Sequence, residues 1–241
     1  IEANPRASRT VPFVAKATGV PLAKVASRVM LGATLGELRA EGLLRPPSDH
    51  GHVSIKEAVL PFSRFPEVDT ALGPEMRSTG EVMGIDATFG KAFYKAELAS
   101  GTLLPEHGVV FLSLADGDKP AGIVVGRRLR ELGLKIAATK GTADYLGRFG
   151  IDVDQVVGKV SDGDGITALN LIKSGEVAFV INTPQGRGGR TDGELIRKAA
   201  NTNRVSSVTT VEAALAAAQG MGEMVGREIM VRPLQSYHGI G

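Results

Sequence analysis

The feature that most constrains the fold is a regular alternation of short apolar runs with amphipathic stretches in the second half of the chain. The apolar runs cover residues 109–114, 134–138, 153–157 and 177–181, and the amphipathic stretches cover residues 121–132, 142–149 and 166–173. Strands that alternate with helical stretches are typical of a parallel sheet that helices cover on both faces. The pattern therefore predicts a Rossmann-like α/β fold with right-handed crossovers.

The first hundred residues have a different pattern, which mixes helical and strand signals. Apolar residues at helical spacing predict a helix over residues 20–31, and the pattern after it predicts strands over residues 53–62 and 81–85 and a helix over residues 89–98. We place a domain boundary near residue 102. The chain is then an α+β unit over residues 1–101 followed by an α/β domain over residues 102–241.

Composition narrows the classes of protein to which the chain can belong. A hydrophobic fraction of 43% in 241 residues supports a packed core, and a net charge of +2 argues against a strongly cationic nucleic-acid surface. The absence of cysteine excludes disulfides and thiolate metal sites. The sequence has no signal-like N-terminus and no apolar run of about 18 residues. We therefore expect a soluble, cytoplasmic protein that binds neither nucleic acid nor membranes.

Polar residues follow the second predicted strand of the α/β domain in a pattern that suits an anion. Thr139, Lys140, Gly141 and Thr142 lie where the next helix begins, at the carboxyl edge of the sheet where open parallel sheets bind ligands. Free N–H groups and the helix dipole would face one spot there, which favours an anion. The alternative, with about equal weight on local evidence, is that Thr142 caps its helix.

Two further loops place lysines at the same edge of the sheet. Lys119 follows the first predicted strand, Lys159 follows the third, and Asn182 ends the fourth. Each lysine alone is more often a solvated surface charge, but together they favour a phosphate-bearing small molecule. Asn182 carries both a donor and an acceptor, which suits a ribose hydroxyl or a base edge.

The first residues of the chain have the composition of a metal and phosphate site. Glu2 and Asn4 are two apart, so on an extended strand their oxygens point to one side and can share a hard cation such as Mg²⁺. Arg6 follows as a partner for phosphate oxygens. The competing interpretation is a turn at the Asn-Pro pair with solvated charges around it.

Longer motifs connect this beginning to a known family. Residues 2–13 (EANPRASRTVPF), 16–19 (KATG) and 73–84 (GPEMRSTGEVMG) resemble the closing segment of the second ATP-grasp unit of carbamoyl-phosphate synthase large subunits. The resemblance continues, more loosely, to the C-terminus. It implies that the chain is a C-terminal fragment of such a subunit. Because the chain begins inside the motif, we expect no catalysis from the fragment alone.

The resemblance implies an activity for the intact enzyme. That activity is the ATP-dependent synthesis of carbamoyl phosphate from bicarbonate, glutamine-derived ammonia and two ATP, which feeds pyrimidine and arginine synthesis. Glu2 and Asn4 would hold Mg²⁺ or Mn²⁺, and Arg6 would touch an ATP phosphate. The implied partners are a glutaminase small subunit and the rest of the large subunit, in an oligomeric enzyme.

The second half resembles the methylglyoxal-synthase-like domain that ends these subunits and acts as their allosteric module. In the bacterial family this domain binds nucleotide monophosphates, with UMP as inhibitor and IMP as activator. The resemblance assigns the phosphate to Lys119, Thr139, Thr142 and Lys159, and the nucleoside to Asn182. Two positions depart from some relatives. Lys140 stands where some relatives carry histidine and joins the predicted nucleotide site by adding positive charge beside the phosphate, and Pro184 stands where some carry threonine. These departures leave the choice of nucleotide open.

The same resemblance suggests an ornithine-type activator site between the two halves, formed by Glu57 and Thr209. Local sequence offers a competing interpretation, because residues 54–57 and 209–212 both fit the spacing of a helix-capping box. We weigh the two interpretations evenly for Thr209. For Glu57 the capping interpretation is weaker, since the residue lies in an alternating, strand-like run.

Two rival functions come from different classes. The first is a free-standing lyase like methylglyoxal synthase, which needs a carboxylate base beside the phosphate. Asp144 is two residues past Thr142 and turned into the helix, and Asp116 and Asp118 lie in another loop, so this rival is disfavoured. The second is a structural oligomerisation module. The glycine-arginine loop at residues 186–190 also fits nucleic-acid binding, but a mobile loop over the nucleotide site is the favoured interpretation.

Overall fold

The computed structural model describes residues 6–45, 51–65, 68–73, 75–158, 166–183 and 192–239. Its first half begins with helices and ends with a helix that covers a β-hairpin-like pair of strands. The elements are α1 Thr10–Thr18, α2 Leu22–Met30, α3 Leu35–Ala40, β1 Val53–Val59, a short 3-10 helix Pro61–Arg64, β2 Gly80–Asp86 and α4 Phe89–Ser100. β1 and β2 pair antiparallel, from Val53 opposite Asp86 to Val59 opposite Gly80.

Local chemistry explains where several of these helices begin and end. Thr34 and Glu37 form a reciprocal capping box at the start of α3, which satisfies backbone donors that have no partner inside the helix. α4 ends at Gly101, whose φ of 95° lies in the left-handed region that favours glycine. The predicted strand over residues 53–62 is too long, because Pro61 begins the 3-10 helix and removes a backbone donor.

The second half is an alternating α/β domain. Its elements are β3 Val109–Ser113, α5 Lys119–Glu131, β4 Lys135–Thr139, α6 Lys140–Gly147, β5 Gln155–Val157, α7 Ala168–Lys173, β6 Val177–Asn182, α8 Asp192–Thr202, β7 Ser206–Val208, α9 Val211–Met224 and α10 Leu234–Tyr237. Within the described residues, five parallel strands form a sheet in the order β5-β4-β3-β6-β7. The predicted Rossmann-like fold is confirmed.

The strands of this sheet bury side chains on both faces, as a covered parallel sheet requires. On one face, Val110 and Leu112 of β3 pack with residues of α5, α6 and α9. On the other face, Phe111 of the same strand packs with residues of α7 and α8. The side chains of Val110, Phe111 and Leu112 are all fully buried. β3 is therefore the centre of both layers of the core.

The two halves of the chain share part of this core. Phe93 of α4 lies in the same apolar cluster as Ala214 and Met221 of α9. A side chain at Gly220 of α9 would lie 3.3 Å from the backbone oxygen of Gly90, so the two helices approach closely where both carry glycine. The boundary near residue 102 stays a prediction. Among the described residues, no helix combines the length and the apolar content that crossing a membrane demands.

β2 approaches α4 closely at Gly84. A Cβ atom at this position would lie 2.7 Å from the backbone nitrogen of Ala96, and it would also clash with the backbone of Ala92. Backbone atoms of a helix cannot move aside as a flexible side chain can. Gly80 begins the same strand, and a Cβ atom there meets nothing within 4 Å.

We therefore expect Gly84→Ala to lower the free energy of unfolding by at least about 3 kcal/mol, because strand and helix would have to separate. Gly80→Ala, the matched control on the same strand, is expected to change it by less than about 1 kcal/mol. Urea denaturation of both variants measures the difference. Equal stability of the two variants would contradict the close packing of β2 on α4.

Candidate functional site

The candidate site lies where the chain leaves β3 and β6 at the carboxyl edge of the sheet. Ser113 and Asn182 end these neighbouring strands and pair with each other. The crossover after β3 packs on one face of the sheet, and the one after β6 packs on the other. Diverging crossovers open a crevice between the two strands, and open α/β sheets bind ligands in such a crevice.

Two threonines anchor the start of α6 at this crevice. Thr142 is 1% exposed, and its hydroxyl accepts a hydrogen bond from the backbone N–H of Leu114 at 3.0 Å. The Thr139 hydroxyl donates to the same oxygen at 3.2 Å. A hydroxyl that accepts two bonds can still donate its own hydrogen. The capping interpretation of Thr142 is wrong, since Thr139 occupies the N-cap position and Thr142 lies inside α6.

Lys119 lies beside the N-terminal turn of α6. It is the first residue of α5, its side chain is 16% exposed, and its ammonium group pairs with Asp116 at 2.6 Å. A Cβ atom on Gly141 would lie 3.4 Å from that ammonium nitrogen. The Asp116 side chain is 84% exposed, so water screens it and an anionic ligand can compete with it. A cation, two hydroxyls and a helix N-terminus therefore meet here.

Lys140 occupies a different environment from Lys119. Its side chain is 80% exposed and pairs with Asp144 one turn along α6 at 3.3 Å. An exposed pair of this kind contributes little to stability. The two lysines therefore differ: Lys119 lies beside the start of α6, and Lys140 lies on its exposed surface.

Asn182 is buried at 2% exposure with both ends of its amide in use. Its Oδ1 accepts a hydrogen bond from Arg197 Nη1 at 2.6 Å, and its Nδ2 donates to the Ser113 carbonyl at 3.4 Å. Thr183 comes next and accepts a hydrogen bond from the Ala115 N–H at 2.7 Å. These contacts tie the end of β6 to the loop after β3.

Several predicted site residues lie outside the described residues. They are Glu2, Asn4, Lys159, Pro184 and the glycine-arginine loop at residues 186–190. Arg6 is described, and its exposed guanidinium donates to the neighbouring Ala7 carbonyl at 3.2 Å.

The second candidate pair, Glu57 and Thr209, is free of the capping roles that compete for it. Glu57 lies inside β1 opposite Val82, so residues 54–57 do not begin a helix. Thr210, not Thr209, is the N-cap of α9, and its hydroxyl accepts from the Ala213 N–H. The capping-box interpretation of both residues is therefore wrong.

Glu97 of α4 adds a buried carboxyl beside Glu57, which the sequence analysis did not single out. Burial, followed by the negative charge of Glu57, raises the pKa of Glu97 to about 7 against the effect of a hydrogen bond with Thr102. Burial also raises the pKa of Glu57, opposed by the Ala58 N–H that donates to it. Two carboxyls that resist ionisation together form an environment suited to a cationic ligand.

Two family models match separate parts of the chain. Residues 1–38 match the carbamoyl-phosphate synthase L chain, ATP binding domain, and residues 122–209 match the MGS-like domain. The fold and the matches define a segment in which the end of an ATP-binding domain precedes an MGS-like α/β domain.

Comparison with individual proteins identifies more specific relatives than the family models do. The chain is 48% identical over 239 residues to the carbamoyl phosphate synthase large chain of Archaeoglobus fulgidus and 49% identical over 239 residues to that of Synechocystis sp.. It is 48% identical over 254 residues to that of Mycobacterium tuberculosis. Each alignment covers 99% of this chain but only 22% or 23% of the relative. The segment belongs with the C-terminal part of carbamoyl phosphate synthase large chains.

The raised pKa of Glu97 determines how the free energy of unfolding should change with pH. Its folded-state pKa of about 7 exceeds the ordinary value of 4.5, so the folded protein holds this proton more tightly than the unfolded chain. The stabilisation is therefore present at acidic pH and is lost as the pH rises through about 7. Glu97→Gln keeps the shape of the protonated carboxyl and cannot ionise.

We expect the unfolding free energy of Glu97→Gln, relative to the original chain, to rise by about 1–3 kcal/mol between about pH 5 and pH 8. Denaturant unfolding at several pH values measures it. Glu106→Gln, at an exposed carboxyl in the connection after α4, serves as the control and should show no such trend. A pH-independent difference for Glu97→Gln would contradict the buried, proton-holding environment.

Proposed function

We propose that this segment senses a nucleotide monophosphate such as UMP or IMP and thereby regulates a carbamoyl-phosphate synthase. The observation that carries the proposal is the meeting of the Lys119 ammonium with the start of α6, where Thr139 and Thr142 place their hydroxyls. A dianionic phosphate suits this combination, because a cation and the positive end of a helix dipole both favour it.

The nucleoside part of the ligand would extend toward the end of β6. Asn182 ends that strand next to Ser113, at the same crevice that Lys119 borders from α5. Lys159 is proposed as the second cation for the phosphate, since the sequence places it after β5 at the same edge of the sheet. Charge-assisted bonds to each lysine are worth about 1.5–3 kcal/mol.

The activity of the whole enzyme is part of the same proposal. Because the chain spans less than a quarter of its relatives, the synthesis of carbamoyl phosphate from bicarbonate, ammonia and ATP is assigned to the larger protein. Carboxylate and amide oxygens suit Mg²⁺, so Glu2 and Asn4 would hold it, with Arg6 for an ATP phosphate. The rest of the large subunit and a glutaminase subunit would be the partners.

Regulation requires two states of the enzyme with different affinities for the effector. A ligand that binds both states equally shifts nothing, whatever its affinity. A coupling free energy of about 1–3 kcal/mol between the nucleotide site and the catalytic unit is typical of such systems. The shared core of α4 and α9 provides a physical connection between the two units.

A second effector site between the halves is supported by the environment of Glu57. Its carboxyl is half-buried beside Glu97, and Thr209 has no capping role at α9. An amino-acid effector such as ornithine brings an ammonium group, which would relieve the repulsion between two buried carboxyls.

The lyase alternative is not favoured by the environment of its candidate bases. Asp116 is 84% exposed and pairs with Lys119, and Asp144 is 52% exposed and pairs with Lys140. A general base must lie within hydrogen-bond reach of the proton that it abstracts, whereas each of these carboxylates is held in an ion pair with a lysine. We expect the chain to release no methylglyoxal from a triose phosphate. A colorimetric assay for methylglyoxal tests this expectation.

The proposed site predicts different effects for lysines inside and outside the phosphate pocket. Lys119→Ala is expected to weaken binding of UMP and IMP about tenfold or more, because one charge-assisted bond to the phosphate is lost. Lys140→Ala removes an equal charge from the exposed surface of α6 and is expected to change affinity less than about threefold. Lys159→Ala should behave like Lys119→Ala.

Calorimetric titration of the 241-residue chain with each nucleotide and with the matching nucleoside measures these effects. Binding that requires the phosphate and weakens with Lys119→Ala supports the site. Equal loss in the Lys119 and Lys140 variants would show that general charge, not this pocket, attracts the nucleotide. Nucleosides that bind as well as nucleotides would contradict the proposal outright.

A further inference from the structure

A buried arginine connects the candidate nucleotide site to the first half of the chain. Arg197 of α8 is 3% exposed. Its Nε donates to Asp69 Oδ1 at 2.6 Å and its Nη2 to Asp69 Oδ2 at 2.7 Å, while its Nη1 donates to Asn182 Oδ1 at 2.6 Å. One rigid, planar guanidinium therefore holds a carboxylate of the first half and an amide of the second half at fixed relative positions.

The surroundings are built to hold this guanidinium. A Cβ atom at Gly193 would lie 3.0 Å from Arg197 Nη1 and 3.2 Å from Asn182 Oδ1, so a glycine leaves room for the bond between them. Asp69 also accepts a hydrogen bond from the Ala71 N–H at 3.0 Å. Burial raises the pKa of Asp69, but its bonds to Arg197 and Ala71 outweigh that effect and the pKa is lowered.

A second contact of α8 holds the same region of the first half. The Asn201 amide donates to the backbone carbonyls of Phe62 at 3.0 Å and Phe65 at 3.3 Å, in and just after the short 3-10 helix. Asp69 follows a few residues later in the chain. The segment between β1 and β2 is therefore docked on α8 at two points, and one of those points continues to Asn182.

The bond from Arg197 determines which way the Asn182 amide faces. An amide has one oxygen and one nitrogen, and rotating it by half a turn exchanges an acceptor for donors. With Oδ1 held by the guanidinium, Nδ2 is fixed on the side of the Ser113 carbonyl. Arg197 thereby determines the orientation in which a ligand at the end of β6 would meet the Asn182 amide.

We propose that Arg197 is the positioning residue through which Asp69 controls Asn182, so that the segment between β1 and β2 and the nucleotide site are energetically coupled. This inference rests on the proposed nucleotide site. Coupling of two sites is reciprocal: if the state of Asp69 changes the affinity for the nucleotide, then the nucleotide changes the state of Asp69. The hydrogen bonds of Arg197 to Asp69 and to Asn182 provide a route for this coupling, because both partners are held by the same side chain.

The test uses Asp69→Asn with a matched control, Asp154→Asn. Asp154 also pairs with an arginine, accepting from Arg130 Nη1 at 2.6 Å and from the Ile136 N–H at 2.7 Å. That pair lies within the second half, at the opposite edge of the sheet from Asn182. Each variant removes one carboxylate charge from an arginine and keeps the size of the side chain.

The first measurement is NMR of the Asn182 side-chain NH₂ group, assigned by its absence in Asn182→Asp. We expect Asp69→Asn to shift these resonances without ligand and Asp154→Asn to leave them in place. The second measurement is calorimetric affinity for UMP and IMP. Asp69→Asn is expected to weaken binding about threefold to tenfold and Asp154→Asn less than about twofold.

The outcomes separate this inference from the function on which it rests. If the original chain binds neither UMP nor IMP, the proposed function is wrong, whether or not the Asn182 resonances shift. Nucleotide binding that Asp69→Asn leaves unchanged or strengthens overturns the coupling, even where the Asn182 resonances shift. Equal weakening by both aspartate variants also overturns it, because a general loss of stability then accounts for the effect.

Discussion

The pairing of β3 with both β4 and β6 is the constraint on which the rest of the structure depends. Because β3 is central and parallel to both neighbours, the chain leaves it toward one face of the sheet and leaves β6 toward the other. The apolar side chains of β3 alternate between two buried layers, so a slip by one residue would move each side chain into the wrong layer. The crevice at its carboxyl end is a consequence of this topology and does not depend on which polar residues line it.

The parallel topology explains how distant sequence positions come to lie at one edge of the sheet. Lys119, Thr139 and Asn182 each follow or end a different strand, and the parallel sheet brings those strand ends to one edge. The sequence was sufficient to predict this grouping, since periodicity identifies the strands and parallel topology aligns their ends. The same periodicity predicted the Rossmann-like fold, which the structure confirms. It missed the exact start of α6, because both threonines near it have good capping chemistry.

Arg197, Asp69 and Glu97 could not have been found in this way. Arg197 and Asp69 are 128 positions apart, and nothing in either local sequence marks its partner. Arg197 sits on a helix with ordinary polar spacing, where a charge predicts a solvated face. Glu97 is similar, since a glutamate in an amphipathic helix gives no sign that α4 will bury it against Glu57. Contacts of this kind depend on how two units dock, which periodicity and capping rules do not encode.

The two halves are joined by contacts of two physical kinds, and the difference bears on regulation. The α4–α9 contact is largely apolar, and a hydrogen bond from the Thr88 hydroxyl to Glu223 of α9 adds to it at the start of α4. The hydrophobic effect that holds its apolar part is not directional. The Asp69–Arg197–Asn182 contact is directional, because a bidentate fork loses its bonds when either partner moves or rotates. A connection of the first kind keeps the units together, whereas one of the second kind distinguishes their arrangements. Regulation of a catalytic unit by a ligand on its neighbour needs both: a durable contact to transmit force, and a contact that exists in one state and not in the other.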